Sequence, residues 1–165
     1  KNIFLNLMLT PMIVPVVITG VALYASFAKV GLNNTHLGLI MAHSLLAIPM
    51  VFLTMSSALA RFDSNLELAA MSMGSGPIGA FFKVTLPCVR GSIITSALLS
   101  FVTSLDEVVV TIFVSGANTK TLPMMMWENL RATIDPTIAV AATFLIILTL
   151  GMYIIKEIVE AKSKD

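Results

Sequence analysis

Two adjacent carboxylates, Asp106 and Glu107, interrupt a long apolar stretch and are the residues best placed to do chemistry. An acidic residue near the centre of a membrane helix costs about 2.5 to 3.5 kcal/mol on insertion scales, so its presence needs a reason. On a helix that turns about 100° per residue, a series of hydroxyl groups shares the face of Glu107 and forms a polar face that cannot point at lipid. The series comprises Ser92, Ser96, Ser100, Thr103, Ser104 and Thr111.

We expect Glu107, with Asp106 about 100° round the helix, to line a pathway through the membrane and to favour a cationic substrate. About 22 Å of helix from Gly91 to Asp106 places the acids past the midplane, on the side opposite the segment that precedes this helix. Two alternatives are ion pairs with Lys or Arg elsewhere in an assembly, and solvated acids on a helix that surfaces early. A third is an intramembrane enzyme with Asp106 as catalytic acid. The predicted pathway residues are Ser100, Thr103, Asp106, Glu107 and Thr111.

Other potentially reactive side chains give weaker signals. His36 and His43 share a helix face, but two histidines without a third ligand are a weak indication of a metal site, and His36 is expected at the membrane interface. The single Cys88 can form neither an internal disulfide nor, alone, a metal site. Residues 74–79 match G-x-G-x-x-G, yet a helix precedes them, and the Walker lysine, H-E-x-x-H and G-x-S-x-G motifs are absent. We therefore expect no catalytic residue, metal or cofactor in this chain.

The composition is typical of a membrane protein. Of 165 residues, 57% are hydrophobic and 12% are charged, which is more apolar surface than a domain of this size could bury in water. A net charge of +1 without a basic run indicates no nucleic-acid partner. We expect an all-α, polytopic helix bundle in contact with the lipid bilayer.

Four apolar segments are long enough to cross a hydrocarbon core of about 30 Å. Pro11 and Pro15 kink the first segment or mark its start, and the second has Pro49 near its middle. The predicted spans are residues 5–28, 36–60, 92–114 and 137–155, and a more polar segment, 61–90, separates the second span from the third.

Segment 61–90 carries the signals of a helix-turn-helix. Ser64 and Glu67 match the S-x-x-E pattern of a capping box, and Asp63 adds negative charge at the predicted helix start. Gly74 is placed to end this helix, and Ser75 is expected to cap a second short helix. The predicted apolar stripe of the first helix comprises Leu66, Ala69, Ala70 and Met73.

The same segment resembles the EAA loop of the membrane subunits of binding-protein-dependent ABC importers. The family pattern is E-A-A, three residues, Gly, nine residues, then I-x-L-P, and Leu68-Ala69-Ala70, Gly74 and Val84-Thr85-Leu86-Pro87 meet every spacing. Leu68 stands where the family usually has Glu, with Glu67 one place earlier, and Val84 replaces Ile. An ordinary cytosolic helical hairpin is the alternative.

This resemblance implies a fold and a set of partners. The fold is that of a type I ABC importer permease, which usually has six spans with the loop after the fourth, so the chain would be the last four spans of a longer subunit. The loop would dock on a cytoplasmic ATPase subunit, which binds ATP and Mg²⁺. The other partners are a second permease subunit, homologous or identical, and a periplasmic or extracellular substrate-binding protein. The implied coupling residues are Glu67, Leu68, Ala69, Ala70, Gly74, Leu86 and Pro87.

The third predicted span resembles one branch of the family. Residues 101–116, FVTSLDEVVVTIFVSG, with Thr121-Leu122-Pro123 and Trp127 after them, are similar to the polyamine (spermidine/putrescine) permeases. Branches for iron, thiamine and phosphonates share parts of this stretch, so a permease for one of those cargoes is the alternative. An ion-coupled secondary transporter or channel would explain the polar helix but not the loop.

The distribution of Lys and Arg indicates an orientation without the resemblance. With segment 61–90 on the inner side, seven basic residues lie inside and three outside, which favours a cytoplasmic loop and C-terminus. The inner set is Lys1, Arg61, Lys83, Arg90, Lys156, Lys162 and Lys164, and the outer set is Lys29, Lys120 and Arg131. The resemblance places the protein in a bacterial plasma membrane.

The last connecting segment, 117–136, predicts a short amphipathic helix after Pro123, with Trp127 at the membrane interface. This helix is either a rim that contacts the substrate-binding protein or a simple interfacial anchor. The three methionines 124–126 are expected to fill packing space and not to bind metal.

Overall fold

The computed structural model describes residues 2–132 and 136–162, and these residues form helices joined by short turns. The predicted all-α fold is confirmed over this part of the chain. A π-helical segment, Phe81–Thr85, joins the helices Pro77–Ala80 and Leu86–Asp106. The helices are α1 (Asn2–Ile13), α2 (Val16–Val30), α3 (His36–Arg61), α4 (Ser64–Ser72), α5 (Pro77–Ala80), α6 (Leu86–Asp106), α7 (Val109–Val114), α8 (Leu122–Ala132) and α9 (Pro136–Lys162).

Several helices are long and apolar enough to cross a bilayer. Within the described residues these are His36–Arg61, Pro77–Asp106 and Ile138–Val159, with a fourth if the bent pair α1 and α2 forms one span. Apolar side chains on α9 such as Val140, Phe144 and Ile147 are 60% to 72% exposed. Surfaces of this kind suit contact with lipid or with another membrane subunit.

The first predicted span is two helices that meet at 102°, a sharper break than a kink. Pro15 lies at the junction and has no N–H to continue the helix, so the last bond of α1 is donated by Val14 N to Thr10 O at 3.1 Å. Helix α1 packs against α3, whereas α2 packs against α7. The break thus allows one apolar segment to contact two different helices.

A small apolar core joins α2, α3 and α7. Its buried members are Phe27, Ala42, Val110 and Val114. Helix α2 can approach α7 closely because Gly20 has no side chain, and a Cβ there would lie 2.5 Å from the ring of Phe113. The short helix α7 is therefore held from two sides.

Two members of the polar face predicted for the third span, Ser96 and Thr111, are buried. Helix α6 packs along α3, with α9 on α6 as well, and its buried residues include Gly91, Thr95 and Ser96. Small residues allow two membrane helices to approach closely, and their hydroxyl groups can bond within the bundle. Part of the hydroxyl series therefore serves helix packing within this chain.

The prediction of one continuous helix over residues 92–114 is wrong. Helix α6 ends at Asp106, Glu107 has extended backbone angles of φ −79° and ψ 110°, and α7 begins at Val109. A new helix can start here because the carboxylate of Glu107 accepts a hydrogen bond from one of its first N–H groups. The last helix, Pro136–Lys162, is longer than the predicted 137–155.

We predict that Gly38→Ala destabilises the protein. A Cβ at Gly38 would collide with the backbone carbonyl oxygen of Leu32, which is part of the turn before α3. Gly151→Ala is the matched control, because a Cβ there meets nothing within 4 Å. Overpacking of this kind costs about 1 to 3 kcal/mol, so the melting temperature of purified Gly38→Ala should fall by several degrees below that of Gly151→Ala. Equal melting temperatures would contradict the tight turn.

Candidate functional site

The segment between α3 and α6 forms a helical hairpin whose first helix is capped by Asp63. The Asp63 Oδ1 atom accepts a hydrogen bond from Asn65 N at 3.0 Å, and Asp63 is the N-cap of α4. The predicted capping box of Ser64 and Glu67 is therefore wrong. Asp63 supplies both the acceptor and the negative charge that a helix N-terminus favours, so the cap lies one residue earlier.

Glu67 instead joins the two halves of the hairpin. Its Oε1 atom accepts a hydrogen bond from Thr85 Oγ1 at 3.0 Å, and Thr85 is 5% exposed. The neighbouring side chain of Leu68 is 55% exposed. Glu67 therefore holds the hairpin together, while Leu68 occupies the outward position next to it.

Gly74 ends α4, as predicted. Its φ of +95° is a left-handed conformation that favours glycine, and the turn carries the two bonds of a Schellman motif. Gly74 N donates to Met71 O at 3.0 Å and Ser75 N donates to Ala70 O at 3.1 Å. The N-cap of α5 is Gly76 without a side-chain bond, so the prediction that Ser75 caps the second helix is wrong.

The Leu86-Pro87 pair lies where the hairpin passes into α6. Leu86 N donates to Phe81 O, five residues earlier, which is the spacing of a π-helix. Pro87 cannot donate a backbone bond, and its ring crowds the preceding turn, which the wider π turn relieves. The pair thus fixes where the π segment ends and the straight helix begins.

The hairpin exposes large apolar side chains. They are Leu68 at 55%, Met73 at 83%, Ile78 at 76% and Phe82 at 60% exposure. The predicted stripe of α4 is therefore not a buried face, since only Ala70 of its members is buried. Exposed apolar groups of this kind suit contact with another protein or with lipid. We call these four side chains the hairpin's apolar surface.

At the other end of α6, the two carboxylates diverge. The Oε1 atom of half-buried Glu107 accepts a hydrogen bond from Val110 N at 2.7 Å, in the first turn of α7. Asp106 is exposed and lines a cavity of about 460 Å³ with Trp127 of α8 and Leu145 of α9. The two acids therefore have different surroundings, one held by backbone and the other open.

His43 is the residue of this site that sequence reasoning missed. Its Nδ1 atom lies 2.7 Å from Ser104 Oγ on α6, and its Nε2 atom lies 3.0 Å from Thr111 Oγ1 on α7. The imidazole therefore bridges the break at Glu107. The seven-residue spacing between His36 and His43 does not predict these bonds. The sequence feature that could have indicated them is the pair of hydroxyl residues, Ser104 and Thr111, that flank Glu107.

The other predicted pathway residues have separate environments. Thr111 is fully buried and donates to Glu107 O at 3.0 Å, and Thr103 donates to Leu99 O within its own helix at 2.9 Å. The buried hydroxyl of Ser100 has no hydrogen-bond partner in the described part of the chain. The structure thus brings Thr111 and Glu107 together but leaves Ser100 and Thr103 further back along α6. Over the same described ranges, no three His, Cys, Asp or Glu side chains form a metal-binding group.

Comparison with known proteins gives the same family over the whole chain. The sequence profile of the binding-protein-dependent transport system inner membrane component matches residues 1–165. The chain is 32% identical over 152 residues to the spermidine/putrescine transport system permease protein PotC of Haemophilus influenzae. It is 34% identical over 152 residues to the putrescine transport system permease protein PotI of Escherichia coli K12.

These matches cover most of this chain and a smaller part of each relative. They span 92% of the chain and 59% of PotC, and 88% of the chain and 54% of PotI. The molybdenum transport system permease protein ModB of Mycobacterium bovis is 25% identical over 164 residues, 90% of the chain and 61% of ModB. The chain therefore spans little more than half the length of these relatives.

We predict that Thr85→Val loosens the hairpin. The change removes the hydroxyl that bonds Glu67 and leaves the half-buried carboxylate without this donor, which costs about 1 to 3 kcal/mol. Amide hydrogen exchange measured by mass spectrometry should then be faster across α4. Ser72→Ala is the control, because the exposed hydroxyl of Ser72 bonds only its own helix, at Leu68 O. Unchanged exchange in Thr85→Val would contradict the joining role of Glu67.

Proposed function

The chain belongs to the family of binding-protein-dependent transport system inner membrane components, and we propose from this that it is the permease subunit of an ATP-driven polyamine importer. It is a transport component and not an enzyme, as are the permeases that it matches. The observation that carries the proposal is the arrangement of α6. A hairpin with an exposed apolar surface lies at one end of this helix, and a carboxylate pair lies at the other.

The hairpin is the proposed contact with a separate ATPase subunit, which binds ATP and Mg²⁺. Its apolar surface is available for docking, while the Glu67 to Thr85 bond and the turn at Gly74 make it a firm unit. This arrangement supports an apolar docking contact at Leu68. The acidic side chain next to it is engaged inside the hairpin, so the docking contact at Leu68 is apolar and Glu67 does not replace the usual Glu there.

The carboxylates are the proposed contact with cargo. Polyamines carry ammonium groups, and an acidic side chain facing a path through the membrane favours a cation. The spermidine/putrescine permease PotC matches at 32% identity and the putrescine permease PotI at 34%, and both values are above the 25% of the molybdenum permease. The sequence comparisons and the negative charge of Asp106 and Glu107 therefore both favour a polyamine over an anionic cargo.

The remaining assignments follow from the same proposal. The hairpin and the C-terminus lie in the cytoplasm, the break at Glu107 lies toward the opposite side, and the Lys and Arg distribution supports this orientation. The chain contributes four spans, with α1 and α2 as one bent span. The other partners are a second permease subunit and a substrate-binding protein, for which α8 offers a rim.

We predict that Glu107→Gln lowers ATP-driven putrescine uptake. Glutamine keeps a side-chain oxygen that can accept from Val110 N, so the change removes the charge while it preserves the cap. Loss of one charge-assisted contact to a cation is worth about 1.5 to 3 kcal/mol, or roughly tenfold or more in rate. Glu157→Gln, at an exposed carboxylate on α9, is the control. Normal uptake by Glu107→Gln at normal protein levels would contradict a pathway role.

We predict that Ile78→Asp weakens binding of the ATPase subunit. Ile78 is 76% exposed, so an aspartate there places a charge on the hairpin's apolar surface without disturbing the core. Co-purification of the ATPase with the transporter should fall at least several-fold. Leu130→Asp, at a 53% exposed leucine of α8 beyond the other end of α6, is the matched control and should leave ATPase binding intact. Equal loss in both variants would contradict a specific docking surface.

A further inference from the structure

We propose that His43 is a positioning residue for the Glu107 carboxylate, and that it acts by joining α6 to α7 across the break between them. The proposal rests on the proposed transport function, because it concerns how a pathway carboxylate is held. It assigns a role to a side chain on α3 that lies outside the hydroxyl series and the acidic pair.

The imidazole of His43 lies between two hydroxyl residues that flank Glu107. Ser104 precedes Glu107 by three residues and lies in the last turn of α6, whereas Thr111 follows Glu107 by four residues in α7. His43 is bonded to both, at 2.7 Å and 3.0 Å, from a third helix. Only a side chain with polar atoms at two ends can hold both sides of the break at once.

The donors and acceptors around His43 can be assigned from the hydroxyl hydrogen of Thr111. The hydroxyl of Thr111 has one hydrogen, which it donates to Glu107 O at 3.0 Å. His43 Nε2 must then carry a hydrogen and donate it to Thr111 Oγ1. In the neutral imidazole Nδ1 is left as an acceptor, and the Ser104 hydroxyl donates to it. This assignment gives each group in the chain of bonds a donor or acceptor role that agrees with both distances.

The hydrogen bonds of His43 reach the Glu107 carboxylate through α7. Thr111 bonds the carbonyl oxygen of Glu107, and Val110 N bonds its Oε1 atom, so both the backbone and the side chain of Glu107 depend on where α7 lies. Val110 and Val114 anchor α7 in the apolar core, and His43 sets its position relative to the end of α6. Loss of the imidazole would leave Glu107 at a junction without this bridge.

The test uses the complete transporter, reconstituted with its ATPase, second permease and binding protein, and measures ATP-driven uptake of radiolabelled putrescine. His43→Leu removes both bonds at similar size and should lower kcat about tenfold. The KM for putrescine-loaded binding protein should change less than about twofold, because the hydrogen bonds of His43 go to α6 and α7 and not to the docking rim on α8. His43→Gln, which retains a donor and an acceptor, should recover at least about half of the lost rate.

Single-bond variants keep the test decisive if His43→Leu folds poorly. Thr111→Val and Ser104→Ala each remove one end of the bridge, and each should lower kcat about three- to tenfold. Thr143→Val is the matched control, since the Thr143 hydroxyl also donates to a carbonyl four residues earlier, Ala139 O at 2.8 Å, but joins no second helix. A kcat for Thr111→Val equal to that of Thr143→Val would overturn the proposal.

A double variant separates positioning from general stability. If His43 acts through Glu107, then His43→Leu added to Glu107→Gln should lower kcat no more than about twofold further, because the two losses share one cause. Losses that multiply would show an independent structural role and overturn the proposal. Normal uptake by Glu107→Gln would overturn it too, since there would be no carboxylate role to support. Absence of ATP-driven uptake by the wild-type transporter would instead refute the proposed function on which it rests.

Discussion

The structure depends on one constraint, that backbone polar groups inside a bilayer must be satisfied by the protein itself. Helix α6 departs from regular geometry at both ends, and each departure has an internal solution. At the hairpin end, a π turn accommodates Pro87. At the other end, the Glu107 carboxylate caps α7, and His43 bonds both sides of the break. Helix α6 packs along α3, and one hydroxyl of its polar face, that of Ser104, bonds His43 there.

Helix α6 connects the two proposed sites, the ATPase contact at the hairpin and the cargo contact at the carboxylates. The continuous unit Pro77–Asp106 has 30 residues, which is about 45 Å of helix. In the proposed coupling, a displacement of the hairpin would be transmitted along this unit to its far end, where the chain turns into α7. Because α7 is held by α2 and α3, such a movement changes the geometry at Glu107 itself. The proposed coupling therefore needs no flexible relay between the hairpin and the carboxylates.

Sequence patterns predicted the helices, the end of α4 at Gly74 and the position of the polar segment, because these follow from local chemistry and composition. They did not predict the break at Glu107, since helical periodicity continues through it and the cap is a side-chain contact. They missed His43 because its partners lie 61 and 68 residues away. The inward orientation of Glu67 was hidden for the same reason, because Thr85 follows it only after a turn.

The central claim is that ATP hydrolysis by a separate subunit drives a polyamine along this chain. The most direct measurement is putrescine uptake into vesicles that contain the reconstituted transporter, with and without ATP on the hairpin side, and with ionophores that abolish ion gradients. The account predicts uptake that requires ATP and persists when the gradients are abolished. Uptake that follows an ion gradient and proceeds without ATP would contradict it and would favour a secondary transporter.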